Sequence, residues 1–172
     1  MALVVNVERG LDYRLGATAL FLAAVSILTA LGFQYIGGYQ PCMLCLMQRY
    51  PYYAAIPVLF VALALTAGGS RGFAAALFFL VALAFFANAG LGVYHAGVEW
   101  KFWPGPATCG GGGSLSTSAG SLLGDLQNIK VVQCDEAALR VLGLSFAGWN
   151  VLASLVIMGL TLRAAFVAAA RR

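Results

Sequence analysis

Four long apolar stretches constrain this chain more than any other feature: about Leu15–Tyr35, Leu44–Ala67, Gly72–Tyr94 and Leu144–Leu162. A helix needs roughly 20 apolar residues to cross a hydrocarbon core, and each stretch has about that length. The first and third carry no charge. The second holds only Arg49, near its start, and the fourth stops at Arg163 before a short apolar tail. Soluble domains carry about 25% charged residues; here the share is 9%, with 62% hydrophobic, so the solvent is a lipid bilayer. The expectation is an all-α membrane protein: a four-transmembrane-helix bundle, with residues 1–172 as a single integral membrane domain. A signal-peptide reading of the first stretch is set aside. Its apolar core exceeds the roughly 7–15 residues of such a region, and no clear small-residue cleavage site follows.

Orientation follows from basic residues, which collect on the cytoplasmic side of short connections. Arg9, Arg14, Arg71, Arg163, Arg171 and Arg172 fall on one side, with both chain ends. Lys101, Lys130 and Arg140 fall on the other, in a long loop over about 95–143 that also carries Glu99, Asp125, Asp135 and Glu136. The first side is therefore expected to be cytoplasmic. The net charge of +4 is scattered, with no basic run longer than Arg171-Arg172, which excludes a nucleic-acid partner. Within the long loop, Gly110–Gly113 and Ser114–Gly120 form a glycine- and serine-rich stretch of linker composition. Leu122–Val132 is expected to form a short amphipathic helix on the membrane surface.

The same topology places all four cysteines, Cys42, Cys45, Cys109 and Cys134, in the external compartment, where disulfides persist. Cys42 and Cys45 stand at the mouth of the second span in Pro41-Cys42-Met43-Leu44-Cys45. At i and i+3 they share one helix face. A thiol in the first turn feels the positive end of the helix dipole, which raises its thiolate fraction. Arg49 follows four residues later on the same face. It can stabilise a thiolate, or donate to a carbonyl oxygen of a flat apolar ligand, or simply anchor the helix at the interface. A zinc site is set aside because such sites usually repeat the close cysteine pair, whereas Cys109 and Cys134 are far apart; no metal is expected. If bridged to each other, Cys109 and Cys134 would either staple the loop or serve as a mobile, attackable disulfide that exchanges with the first pair.

Electrons taken from thiols need an acceptor. No haem-attachment motif is present, since Leu46 follows Cys45, and no dinucleotide-binding glycine fingerprint occurs. A lipid-soluble quinone needs only an apolar slot with a few polar groups. Tyr39, Tyr50, Tyr94, Trp100, Phe102 and Trp103 cluster at the predicted outer interface, where an ordinary aromatic belt would also place them. His95, the single histidine, is placed to hydrogen-bond a quinone oxygen or supply a proton, with Glu99 one turn further on.

These features resemble the DsbB family, disulfide bond formation protein B. The resemblance rests on four spans, Cys42-Met43-Leu44-Cys45 with Arg49, Trp103-Pro104-Gly105-Pro106 before Cys109, and Cys134 before the last span. It covers roughly Leu15 to Leu162. It implies a quinone-dependent oxidoreductase of the bacterial inner membrane, with both termini cytoplasmic and its cysteines periplasmic. Cys109–Cys134 would oxidise a periplasmic DsbA-like thioredoxin-fold oxidase. Cys42–Cys45 would reoxidise that loop pair and pass the electrons to ubiquinone or menaquinone, with Cys45, Arg49 and His95 at the quinone. Gln48 stands where some relatives carry an acidic residue, and the glycine-rich stretch after Cys109 also departs from better-known members. Vitamin K epoxide reductases resemble this plan less well, because their C-x-x-C closes a late span. The non-enzymatic alternative is a tetraspan scaffold with structural disulfides.

Overall fold

A computed structural model describes residues 10–106, 134–135, 137 and 139–171. The expected amphipathic helix over 122–132, the glycine- and serine-rich stretch and Cys109 lie outside the described residues. Helix α1 spans Leu11–Tyr35, α2 Met43–Met47, α3 Tyr50–Ala67, α4 Arg71–Glu99 and α5 Phe146–Ala170; a hairpin of β1 (Arg140–Val141) and β2 (Leu144–Ser145) precedes α5. Four helical segments, with α2 and α3 taken together, are long and apolar enough to cross a membrane. The chain is a four-helix membrane protein.

Side-chain size is sorted in the manner lipid demands. Ala19, Ala23, Ala62, Ala74, Ala164 and Ala168 are fully buried, while Phe21, Phe60, Phe73, Phe86 and Phe166 face outwards; Phe78 and Phe85 are large side chains that fill the interior. Lipid tails are as apolar as any side chain, so helices gain by close backbone approach over small residues. Each long helix packs on two neighbours, in the ring α1–α3–α4–α5 and back to α1, and the α4–α5 contact is the most extensive. At Gly92 a β-carbon would lie 2.7 Å from Val151 Cγ2, so glycine lets α4 close onto α5.

The second apolar stretch is not one continuous helix. Tyr50 opens α3 and Pro51 sits in its first turn. A proline ring clashes with the carbonyl four residues back and offers no N–H, so α2 ends at Met47 and the chain turns at Gln48-Arg49. Past this break α3 runs through Pro57 to Ala67. Three helices outrun their apolar stretches: α1 begins at Leu11, ahead of Leu15, α4 continues through His95 to Glu99, and α5 through Arg163 to Ala170.

The two ends of the bundle are distinct. At one end Arg71 ties three elements together, with Nε 3.9 Å from Asp12 Oδ2 and Nη1 donating to the Arg171 carbonyl at 3.4 Å. At the other end lie α2, the last turn of α4, Cys134 and the hairpin. The hairpin pairs Arg140 with Ser145 and Val141 with Leu144. Its turn needs positive φ at both central residues, which Leu142 (53°) and Gly143 (83°) supply. Ser145 then caps α5 by accepting the Gly148 N–H at 3.3 Å.

Candidate functional site

Cys42 is the N-cap of α2. Its extended backbone turns the sulfur back over the first turn, where it accepts the Cys45 N–H at 3.3 Å. The two sulfurs lie 3.1 Å apart, unbridged. The last turns of α4, beyond the apolar stretch, bring His95 Nε2 to 3.6 Å from Cys42 Sγ. Three groups thus converge on one sulfur: the Cys45 thiol, the His95 ring and the Cys45 amide. The Cys45 thiol contributes most, and together they hold Cys42 well below the usual thiol range, against the opposing effect of burial. A thiolate is the reactive species in disulfide exchange.

This predicts a measurable pH dependence. Thiolate absorbance of the reduced protein, taken as the difference from Cys42→Ser, should persist to about pH 6, where an ordinary thiol of pKa about 8.5 is almost fully protonated. The shift is downward, so the thiolate's stabilising contribution is full above the unfolded value and is lost as pH falls through the folded one. Absorbance that vanished on falling below about pH 8.5 would rule out the donor convergence.

Behind the sulfurs runs a chain of amides, with Gln48 and Asn88 buried and Asn150 half-buried. Gln48 Nε2 lies 2.8 Å from His95 Nδ1, and Gln48 Oε1 accepts from Asn150 Nδ2 at 2.6 Å. Asn150 Oδ1 accepts the Tyr52 hydroxyl at 2.8 Å, and Asn88 Nδ2 reaches it at 3.4 Å while donating to Ser154 Oγ at 3.0 Å. The chain therefore ties α3, α4 and α5 to the thiol pair. On the other side of His95, Glu99 Oε1 lies 3.8 Å from Nε2, the pairing expected of a continued helix.

The two cysteines of α2 face different surroundings. Cys42 is buried in one apolar cluster with Leu44, Val98 and Cys134, and Cys134 is itself disulfide-bonded. Cys45 borders that cluster and also lines a cavity of about 420 Å³ between α1, α3 and α5. Phe33, Tyr39, Tyr52, Phe146 and Trp149 give this cavity aromatic walls, and Gln34, Gln48, Arg49 and Asn150 give it polar edges. Arg49 reaches across to α1, donating to Gln34 Oε1 and, at 3.4 Å, to the Ala30 carbonyl. Val141 of the hairpin closes part of the rim, accepting the Trp149 indole N–H at 3.0 Å through its carbonyl.

Of the residues singled out from sequence, Cys42, Cys45, Arg49, His95 and Cys134 meet at one end of the bundle. Arg49 and Cys45 line the cavity; His95 does not, since its ring is enclosed by Cys42, Gln48 and Glu99. Tyr39 is the one cavity-lining member of the expected aromatic cluster. Tyr94 and Trp103 instead stack on each other at 6.0 Å, where Gly97 leaves room for the indole: a β-carbon there would meet it at 2.0 Å. Sequence reasoning missed Gln34, Asn150, Trp149 and the hairpin. Asn88, Asn150 and Ser154 did carry a signal, as polar residues inside apolar runs that mark functional interiors.

Cys42, Cys45 and His95 also hold their ligand atoms within 4.8 Å of one another, close enough for a metal ion. A wider cleft of about 1180 Å³ at the opposite end, lined by Tyr13, Arg71 and Arg171, holds neither thiol nor histidine.

In comparison with known proteins, the family model described as disulfide bond formation protein DsbB matches residues 13–164. The uncharacterized protein RP370 of Rickettsia prowazekii (strain Madrid E) is 26% identical over 151 residues, covering 82% of each chain. No solved structure matches.

Proposed function

The chain belongs to the DsbB family of membrane disulfide bond formation proteins, and from that premise we propose that it oxidises a DsbA-like thioredoxin-fold partner and passes the electrons to a membrane quinone. The net reaction is partner dithiol plus quinone to partner disulfide plus quinol. The observation that carries this reading is the split setting of one dithiol. Cys42 shares a buried apolar cluster with disulfide-bonded Cys134, while Cys45 lines the aromatic cavity beside Arg49.

In this account Cys134 is bridged to Cys109, and the partner's thiolate attacks that bridge, leaving the loop pair reduced. A loop thiolate then attacks Cys42 of an oxidised Cys42–Cys45 pair and releases the Cys45 thiolate towards the cavity. The second loop thiolate resolves the mixed disulfide and releases Cys42, whose negative charge is received by the donors that surround it. The cavity suits a quinone in size and in lining, mostly apolar with a few polar groups. A quinone, when bound, accepts two electrons and two protons. Cys45 supplies the electron-rich sulfur at the wall, and Arg49, steadied by Gln34 and Ala30, offers donors for a carbonyl oxygen.

The setting we propose is the bacterial inner membrane, both termini cytoplasmic and the cysteines periplasmic. An impermeant maleimide applied to intact reduced cells should label single-cysteine variants at Cys42 and Cys109. Protection of both until the membrane is opened would refute the electron path. Arg49→Ala should raise KM for quinone about tenfold, as expected for one lost charge-assisted hydrogen bond. Partner oxidation in a single turnover should be unchanged. Unaltered quinone kinetics would reduce Arg49 to an anchor between helices.

A further inference from the structure

The cluster of Cys42, Cys45 and His95 can in principle do two incompatible things. It can hold a metal ion, which requires a lone pair on His95 Nε2, or it can donate a hydrogen bond from that same nitrogen to a thiolate. The choice is a choice of tautomer. We infer that Gln48, held in place by Asn150, fixes the neutral His95 ring with its proton on Nε2, so that His95 serves Cys42 as a donor and not as a metal ligand.

Two ends of the hydrogen-bond chain lead to this separately. At the amide end, Asn150 Nδ2 donates to Gln48 Oε1 at 2.6 Å, while its own oxygen accepts the Tyr52 hydroxyl at 2.8 Å. With its oxygen engaged, Gln48 presents Nε2 to His95 Nδ1 at 2.8 Å. An amide nitrogen only donates, so Nδ1 is the bare nitrogen. At the sulfur end, Nε2 faces two acceptors, Cys42 Sγ at 3.6 Å and Glu99 Oε1 at 3.8 Å. A bare Nε2 would turn its lone pair towards the lone pairs of both, whereas an N–H satisfies them. The carboxylate is buried, and its other oxygen has no hydrogen-bond partner among the described residues, so the His95 proton is the donor nearest to hand.

Gln48 is thus a positioning residue: it touches neither reacting sulfur and acts through the ring. The tautomer stands on the hydrogen bonds alone, while its consequence for turnover rests on the function proposed above. That consequence is faster release of Cys42 as a thiolate. Gln48→Leu, which leaves Nδ1 without a donor, should lower kcat about ten- to a hundredfold, the weight of one hydrogen bond to a charged group.

The test exploits the single histidine. Reduced protein labelled with [15N]histidine and held in lipid nanodiscs gives one imidazole. The expected spectrum at neutral pH has a protonated, pyrrole-like Nε2 and a bare, pyridine-like Nδ1. Addition of one equivalent of zinc chloride should leave it unchanged. Gln48→Glu replaces the amide donor by an acceptor, so the proton should move to Nδ1 and zinc should then shift the freed Nε2. A wild-type spectrum with the proton on Nδ1, an even mixture of tautomers, or a zinc-shifted wild-type Nε2 would each overturn the inference. The wild-type spectrum decides even where a variant does not fold. Absence of quinol formation alongside the expected spectrum would refute the electron acceptor and leave the tautomer standing.

Discussion

Cys45→Ser is expected to abolish quinol formation and to trap the chain as a covalent bridge between Cys42 and Cys134. Cys42 keeps the Cys45 amide and the His95 ring beside it in this variant, and it lies in the same buried cluster as Cys134. With no neighbour to re-form the short disulfide, the Cys42 thiolate attacks the bridge at Cys134 and stays there. Peptide mapping under non-reducing conditions should recover Cys42 joined to Cys134. Quinol output should drop to that of protein-free controls, because no sulfur remains at the cavity wall. Cys42→Ser should also abolish turnover, but without the trapped bridge. Recovery of Cys42 joined to Cys109 would show that the packing around Cys134 does not govern the order of exchange.

Ala153→Phe should have the next largest effect, on the acceptor alone. Ala153 lies on α5 and lines the same cavity as Cys45 and Arg49. A phenyl ring placed there competes for a volume of about 420 Å³. Forcing extra bulk into a fitted site typically costs about 1–3 kcal/mol, which corresponds to roughly a ten- to hundredfold rise in KM for quinone. Oxidation of the partner in a single turnover should proceed at the wild-type rate, since Cys42 and Cys134 lie outside the cavity lining. A loss of partner oxidation equal to the loss of quinone use would mean that the variant had disturbed the bundle.

The spans were legible in the sequence because the bilayer imposes a length on every apolar run. The pairing of Cys42 with Cys45 was legible because i, i+3 spacing is local. Pro51 was visible as a source of distortion, yet whether it bends or breaks a helix depends on what receives the freed groups; here Gln48-Arg49 becomes a turn, which sends Arg49 towards α1 and Gln48 towards His95. That division could not be read from sequence. Nor could the amide chain, whose links join Cys42 to His95 and Gln48 to Asn150 across most of the chain. Asn150 looks like one polar residue in an apolar run until α5 is packed on α4. The end of α4 was placed too early because apolar content falls before the helix does: Gly97 and Glu99 remain helical, buried under Trp103 and beside His95; the end of α5 was placed too early because Arg163 interrupts the apolar run without ending the helix. The hairpin was missed because its strands are two residues long and its turn puts Leu142, which rarely adopts positive φ, beside Gly143.

Transfer of electrons from the thiol pair to a quinone is the central step of the proposed function. Its most direct measurement is an anaerobic reaction of the purified full-length protein with a reduced thioredoxin-fold oxidase and a ubiquinone analogue, following quinol by absorbance and partner disulfide by thiol counting. One quinol should appear for each partner disulfide, over many turnovers. Partner oxidation that stops after the protein's own disulfides are consumed, with no quinol formed from ubiquinone or menaquinone analogues, would contradict it.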